Sequence, residues 1–243
     1  MYSKSALIAI ATLLLCVSCS VTLPWAREQI GEEVNLAFVI RNNLLFLPSV
    51  TIDGQSGRFL VATAAARTAL DDRFAARLPT AAGRGGRVLQ LNSKEALHFT
   101  PVVLDLHGVA DGIIGADVWS NRAISIDYNA GLVTYQKEGI HPELMTISRF
   151  TTDPRVSILV DGKAVDAIVD TASPDTLTLP RGAAPAGRTH ARVQLGGADL
   201  GNLDIRLADV SDARVGNRIL SKFLVTIDYG KREVGLWRDP RTL

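Results

Sequence analysis

Cysteine is almost absent from this 243-residue sequence, which has only Cys16 and Cys19, both before residue 20. Two cysteines so placed cannot build a disulfide framework or a zinc site in a folded body. The four histidines, His98, His107, His141 and His190, show no HExxH or comparable ligand spacing, so no metal and no cofactor is expected. Charge of one sign is lacking too. Lys plus Arg number 26 against 25 Asp plus Glu, and a net charge of +1 argues against nucleic acid held by an electrostatic footprint. No Ser-His-Asp arrangement and no G-x-S-x-G elbow supplies a nucleophile. Gly83-Arg84-Gly85-Gly86-Arg87 lacks the Lys-Ser/Thr tail of a phosphate loop and reads as a mobile basic loop, with a solvated surface turn as the alternative. What is abundant is apolar side chain, 47% of residues against 21% charged, a composition that folds into one large domain or two small ones.

The longest apolar stretch is Ala6 to Val17, interrupted only by Thr12 and preceded by the single charge of Lys4. It is too short to span a bilayer as a permanent helix and reads as a secretory signal over residues 1–18. Val17-Ser18-Cys19 resembles a bacterial lipoprotein cleavage box, with Cys16 where that box usually has Leu. The expectation is an exported envelope or periplasmic protein, anchored to a membrane through lipid on Cys19; ordinary cleavage near Ser18 to Ser20 is the alternative.

Beyond the signal the sequence repeats itself. Ile52-Asp53-Gly54 recurs as Val160-Asp161-Gly162, and Leu60 to Ala65 recurs as Ile168 to Ser173, both at an offset of 108. Ile124-Ser125-Ile126-Asp127-Tyr128 recurs as Val225-Thr226-Ile227-Asp228-Tyr229 at an offset of 101, which Gly115 and Gly216 share. Four matches in the same order point to a duplication whose second copy is seven residues shorter in its middle.

Each copy reads as strand and hairpin. Asp53-Gly54 and Asp161-Gly162 lie between β-rich runs, and such pairs form tight turns because Gly accepts positive φ without strain. Asn129-Ala130-Gly131 and Gly230-Lys231 mark two more hairpins. Short helices are expected over Ala65–Ala76, Asp117–Asn121 and Ile219–Phe223. Residues 19–44 read as an N-terminal segment, 138–154 as a linker, and Pro180 to Arg188 as a loop.

Hairpin, apolar strand, Asp170-Thr171-Ala172-Ser173, and the closing Arg214-Val215-Gly216 with its Ile-Asp-Tyr strand resemble the aspartic proteases, in the form of bacterial proteins with retropepsin-like lobes. In the first copy Asp111-Gly112-Ile113-Ile114-Gly115-Ala116-Asp117 looks like the same closing segment. The resemblance covers residues 45–137 and 155–238. It implies an all-β fold of two duplicated acid-protease lobes related by a pseudo-twofold, with short helices. It further implies a peptide or protein substrate, and hydrolysis by two carboxylates that share one proton and activate one water.

By that resemblance Asp170 is the catalytic acid, Thr171, Ala172 and Ser173 complete its loop, and Thr63 with Thr171 braces the two loops across the lobe interface. Ala62 stands at the position equivalent to Asp170, so the dyad is incomplete. Ala172 replaces the usual Gly, a mild change only if its φ is negative. Asp53 belongs to a turn and Asp111 precedes the Gly segment, so neither is expected to substitute. Three readings stay open: an envelope endopeptidase working through Asp170, a pseudoprotease that binds extended peptides in its cleft, and a homodimer that pairs two Asp170 lobes.

Overall fold

The computed structural model describes residues 33–79, 86–120, 122–136, 139 and 145–239. The signal segment, Cys19 and residues 83–85 of the glycine-rich turn lie outside them. Among the described residues the protein is mostly β-strand with a few one-turn helices, in line with the all-β expectation.

The first half runs β1 (Val34–Ala37), β2 (Val39–Arg41), β3 (Leu44–Leu47), β4 (Thr51–Ile52), β5 (Gln55–Ser56), β6 (Phe59–Val61) and β7 (Ala69–Asp71). It continues through α1 (Asp72–Ala75), β8 (Arg87–Gln90), β9 (Ala96–Phe99), β10 (Val102–Leu104), β11 (Gly112–Ile114), α2 (Ala116–Trp119), β12 (Ala123–Asp127) and β13 (Leu132–Gln136). The second half runs β14 (Thr146–Arg149), β15 (Arg155–Val160), β16 (Lys163–Val169) and β17 (Leu177–Pro180). After these come β18 (His190–Leu195), β19 (Ala198–Ala208), β20 (Ala213–Val215), α3 (Asn217–Leu220), β21 (Leu224–Asp228) and β22 (Glu233–Trp237).

One pairing pattern occurs in both halves. β11 runs parallel to β6 and antiparallel to β7, with β10 parallel to β7 on the far side. β20 likewise runs parallel to β16 and antiparallel to β17, with β19 parallel to β17. In the second half these strands join β15 and β18 in a closed barrel, whereas the first half splits into a six-stranded and a four-stranded sheet. The split has a local cause. β3 stops at Pro48, which has no N–H to offer a ladder, and β6 starts after Gly57, pressed against the rings of Phe59 and Phe74.

A further six-stranded sheet joins the halves in the order β1-β13-β12-β21-β22-β14. At its centre Ser125 lies opposite Thr226, its counterpart at the 101-residue offset, and the two hydroxyls are 2.7 Å apart. The inward faces of this sheet and of both bodies form one continuous apolar core, from Trp119 and Tyr135 through Val156 to Leu236.

The turns at Asp53-Gly54 and Asp161-Gly162 hold both residues at positive φ, as the Asp-Gly signal predicts. Each aspartate caps a neighbouring strand: Asp53 Oδ1 accepts from Val88 N and Asp161 Oδ1 from Arg192 N. Three expectations need correction. Ala65–Ala76 is not a helix, since Ala69, Leu70 and Asp71 are buried as strand between β10 and β11 and only Asp72–Ala75 turns. Sheet pairing there outweighs the helical preference of alanine. The segment 19–44 contains β1 and β2, and the linker 138–154 contains β14; these three outer strands are held by ladders that alternation in three or four residues does not reveal. The other two helices lie close to their expected places, and Arg181–Ala183 forms a single 3-10 turn inside the Pro180 to Arg188 loop.

Candidate active site

The strands β6 and β16 deliver Ala62-Thr63 and Asp170-Thr171 to one place. Ala62 N donates to Ile114 O and Asp170 N donates to Val215 O, both at 3.0 Å. Ala65 N closes onto Ala62 O and Ser173 N onto Asp170 O, both at 3.1 Å, so the two backbones turn alike. None of Ala62, Ala64 or Ala172 has positive φ, so alanine in place of glycine costs no backbone strain here.

Thr63 and Thr171 brace each other reciprocally. Thr63 Oγ1 donates to Val169 O at 2.6 Å and accepts from Thr171 N at 3.1 Å. Thr171 Oγ1 donates to Val61 O at 2.7 Å and accepts from Thr63 N at 3.1 Å. Both side chains are fully buried, so each hydroxyl satisfies backbone groups that no water reaches. The tyrosines at the repeat offset reach across in the same reciprocal way. Tyr128 donates its hydroxyl to Asn217 Oδ1 at 2.7 Å, and Tyr229 donates to Thr63 O at 3.1 Å. Burial pushes both phenols far above their ordinary range, which keeps them neutral donors. Asn217 also donates to Thr171 O at 2.7 Å and to Asn43 O.

Asp170 is buried, and its carboxylate is already engaged. Oδ2 accepts from Arg214 Nη1 at 2.7 Å, and Oδ1 accepts from Ala172 N at 3.0 Å. The Arg214 side chain is 38% exposed, against 9% for that of Asp170, so the guanidinium covers the acid from the solvent side. Arg214 lies on β20 opposite Ile168, and Ile113 lies on β11 opposite Leu60 in the matching register. One half therefore presents Ala62 with Ile113 where the other presents Asp170 with Arg214. Around Ile113 the wall is apolar: Phe46, Leu60 and Ala110 form a buried cluster against which Leu44, Leu106, Ile113 and Ala172 pack.

The remaining expected residues fall as follows. Ser173 is buried, and its carbonyl accepts from Asn217 N at 3.0 Å. Asp53 pairs with Arg87 at 2.8 Å and Asp111 with Arg58 at 3.3 Å, so each has its own arginine within the first half. Arg214 was not singled out from the sequence. Its signal is a cation inside the apolar closing segment, at the position where the first copy has Ile113. Asp71, Asp72 and Asp105 gather their carboxylates within 4.8 Å, the one such acidic group among the described residues. Asp71 there accepts from Leu106 N and Arg73 N, which accounts for its ionised form without a metal. No family model matches this sequence, and no curated protein matches it.

Proposed function

We propose that the chain consists of two acid-protease lobes and works as a peptide-binding protein in which hydrolysis has been lost. What supports the lobes is the doubled β6/β7/β11 and β16/β17/β20 pairing, together with the Thr63–Thr171 brace between residues 108 apart. The observation that carries the loss of hydrolysis is the state of Asp170. Dyad chemistry needs two carboxyls facing one water, one of them protonated to polarise the substrate carbonyl. Here the opposite position is a methyl group, and the remaining carboxylate is bonded to a guanidinium. General acid–base assistance is worth about 10²–10⁴-fold in rate, and half of that machinery is absent.

Pairing two Asp170 lobes from separate chains is disfavoured, because it would require opening the brace and the β12–β21 ladder. Binding needs neither carboxyl, only a cleft with an apolar wall and backbone groups for an extended strand. As part of the same proposal the protein is exported and anchored through lipid on Cys19; a mass spectrum of the mature N-terminus showing acylated Cys19 checks this, and an unmodified start at Ser20 or later refutes it. The functional test is incubation of the mature protein with a mixed peptide library from pH 3 to 7. Peptides retained without new termini support the reading. Cleavage that disappears in Asp170→Asn overturns it.

A further inference from the structure

β2 and β3 form a hairpin whose turn, Asn42-Asn43, has both residues at positive φ. Val39 and Arg41 point to one side of it, opposite Phe46 and Leu44 on the same face. The face buries Phe46 against Leu60 and Ala110 and leaves Val39 and Arg41 exposed. It forms one wall of a cavity of about 330 Å³, and the other wall is the turn carrying Gly108 and Val109. The turn is held in place by Arg58, whose Nη2 donates to Gly108 O at 3.0 Å while its Nε bonds Asp111. Val109 N closes the turn onto Leu106 O at 3.0 Å, so the cavity is preformed.

The lining is mostly apolar, with Val39, Leu44, Phe46 and Val109, and it carries the guanidinium groups of Arg41 and Arg58. Val39 and Val109 are 40% and 53% exposed, an unusual state for two valines sharing a hollow. The Arg41 side chain has no hydrogen bond and no ion pair among the described residues, in contrast to Arg58 beside it. An apolar lining with one unpaired guanidinium matches a ligand that is apolar along its length and ends in a carboxylate, which a guanidinium grips through paired N–H donors.

We infer that this cavity receives the C-terminal end of an extended apolar peptide, with the terminal carboxylate on Arg41. The inference rests on the peptide-binding reading and names the feature that selects the peptide. Backbone geometry supports an extended ligand. In a two-residue hairpin the closing pair Arg41 and Leu44 bond each other, so Ile40 turns its N–H and C=O outward on a strand with no further partner in its sheet. Ile40 itself is 49% exposed.

The test uses a fluorescent apolar hexapeptide with a free C-terminal carboxylate, its C-terminal amide, and decanoate as competitor. The acid form is expected to bind about fivefold more tightly than the amide, the scale of one carboxylate–guanidinium contact at an exposed site. Arg41→Gln should remove that difference while leaving amide binding and thermal stability in place. Val109→Asp should weaken both peptides. Equal affinity for acid and amide in the wild type, or an unchanged preference in Arg41→Gln, overturns the inference, as does displacement of the peptide by decanoate at equal concentration. If both forms bind equally, and the peptide photo-crosslinks to Ala172 or Ile113 instead, the C-terminal selection fails while peptide binding stands. If neither form binds, both readings fall.

Discussion

At the scale of single residues, two pairs divide the labour of the site. Asp170 with Arg214 and Ala62 with Ile113 occupy matching positions, so at these positions the second half carries an ion pair and the first half apolar side chains. Ala62→Asp alone should stay inactive, because Arg214 would remain to hold Asp170. Ala62→Asp with Arg214→Ile restores two carboxyls on an apolar floor, and peptide cleavage at acidic pH should appear at least about 10²-fold above the single variant. Fluorogenic peptide turnover from pH 3 to 7 measures it. Thr63 has a different role. Thr63→Val removes the hydroxyl that donates to Val169 O and accepts from Thr171 N, leaving two buried backbone groups without partners. The expected loss is about 2–4 kcal/mol, read from urea denaturation.

At the scale of elements, the tight entries to α2 and α3 matter more than the helices themselves. Gly115 lies so close to the preceding loop that a Cβ would stand 2.6 Å from Arg67 C and 2.7 Å from Ala65 O. Its φ of −97° is open to any residue, so the requirement is space alone. Gly115→Ala must push the Ala65 to Arg67 backbone aside, and the expected cost is about 1–3 kcal/mol by thermal melting. α1 depends on its cap. Asp71 accepts from Leu106 N and Arg73 N, and the first of these bonds does most to hold its carboxyl below the ordinary value of 3.8. A carboxylate whose folded value is lowered adds stability that is present at neutral pH and lost on acidification through that lowered value. Asp71→Asn should therefore be less stable than wild type near pH 7, with the gap closing below about pH 4. Paired denaturation curves across that range check the sign.

At the scale of the whole molecule, neither half is self-sufficient. β12 and β21 pair along five residues, from Ala123 opposite Asp228 to Asp127 opposite Leu224, in a sheet fed by both halves. Tyr128 and Tyr229 each bury a hydroxyl on a partner in the opposite half. Expressed separately, residues 33–136 and 145–239 would each expose an unpaired strand edge and a cut face of the common core. Each half alone should give a collapsed, poorly dispersed NMR spectrum, whereas the intact protein should unfold in one calorimetric transition.

Much of this was legible in the residues. The two-offset repeat is visible in the residues, and the structure pairs Ser125 with Thr226 and Thr63 with Thr171 at those offsets. Asp-Gly turns, and the presence of Ala62 where the second copy has Asp170, were likewise readable, because turn geometry and the presence of a carboxylate are properties of single residues. The outer strands β1, β2 and β14 were not, since three or four residues carry too little alternation to distinguish a strand from a connector. Nor was β7, where alanine-rich sequence favours helix and only burial on both faces selects strand. Arg214 shows the limit most plainly. A sequence records that an arginine lies 44 positions beyond an aspartate, but only the parallel register of β16 and β20 brings that guanidinium to 2.7 Å from the Asp170 carboxyl.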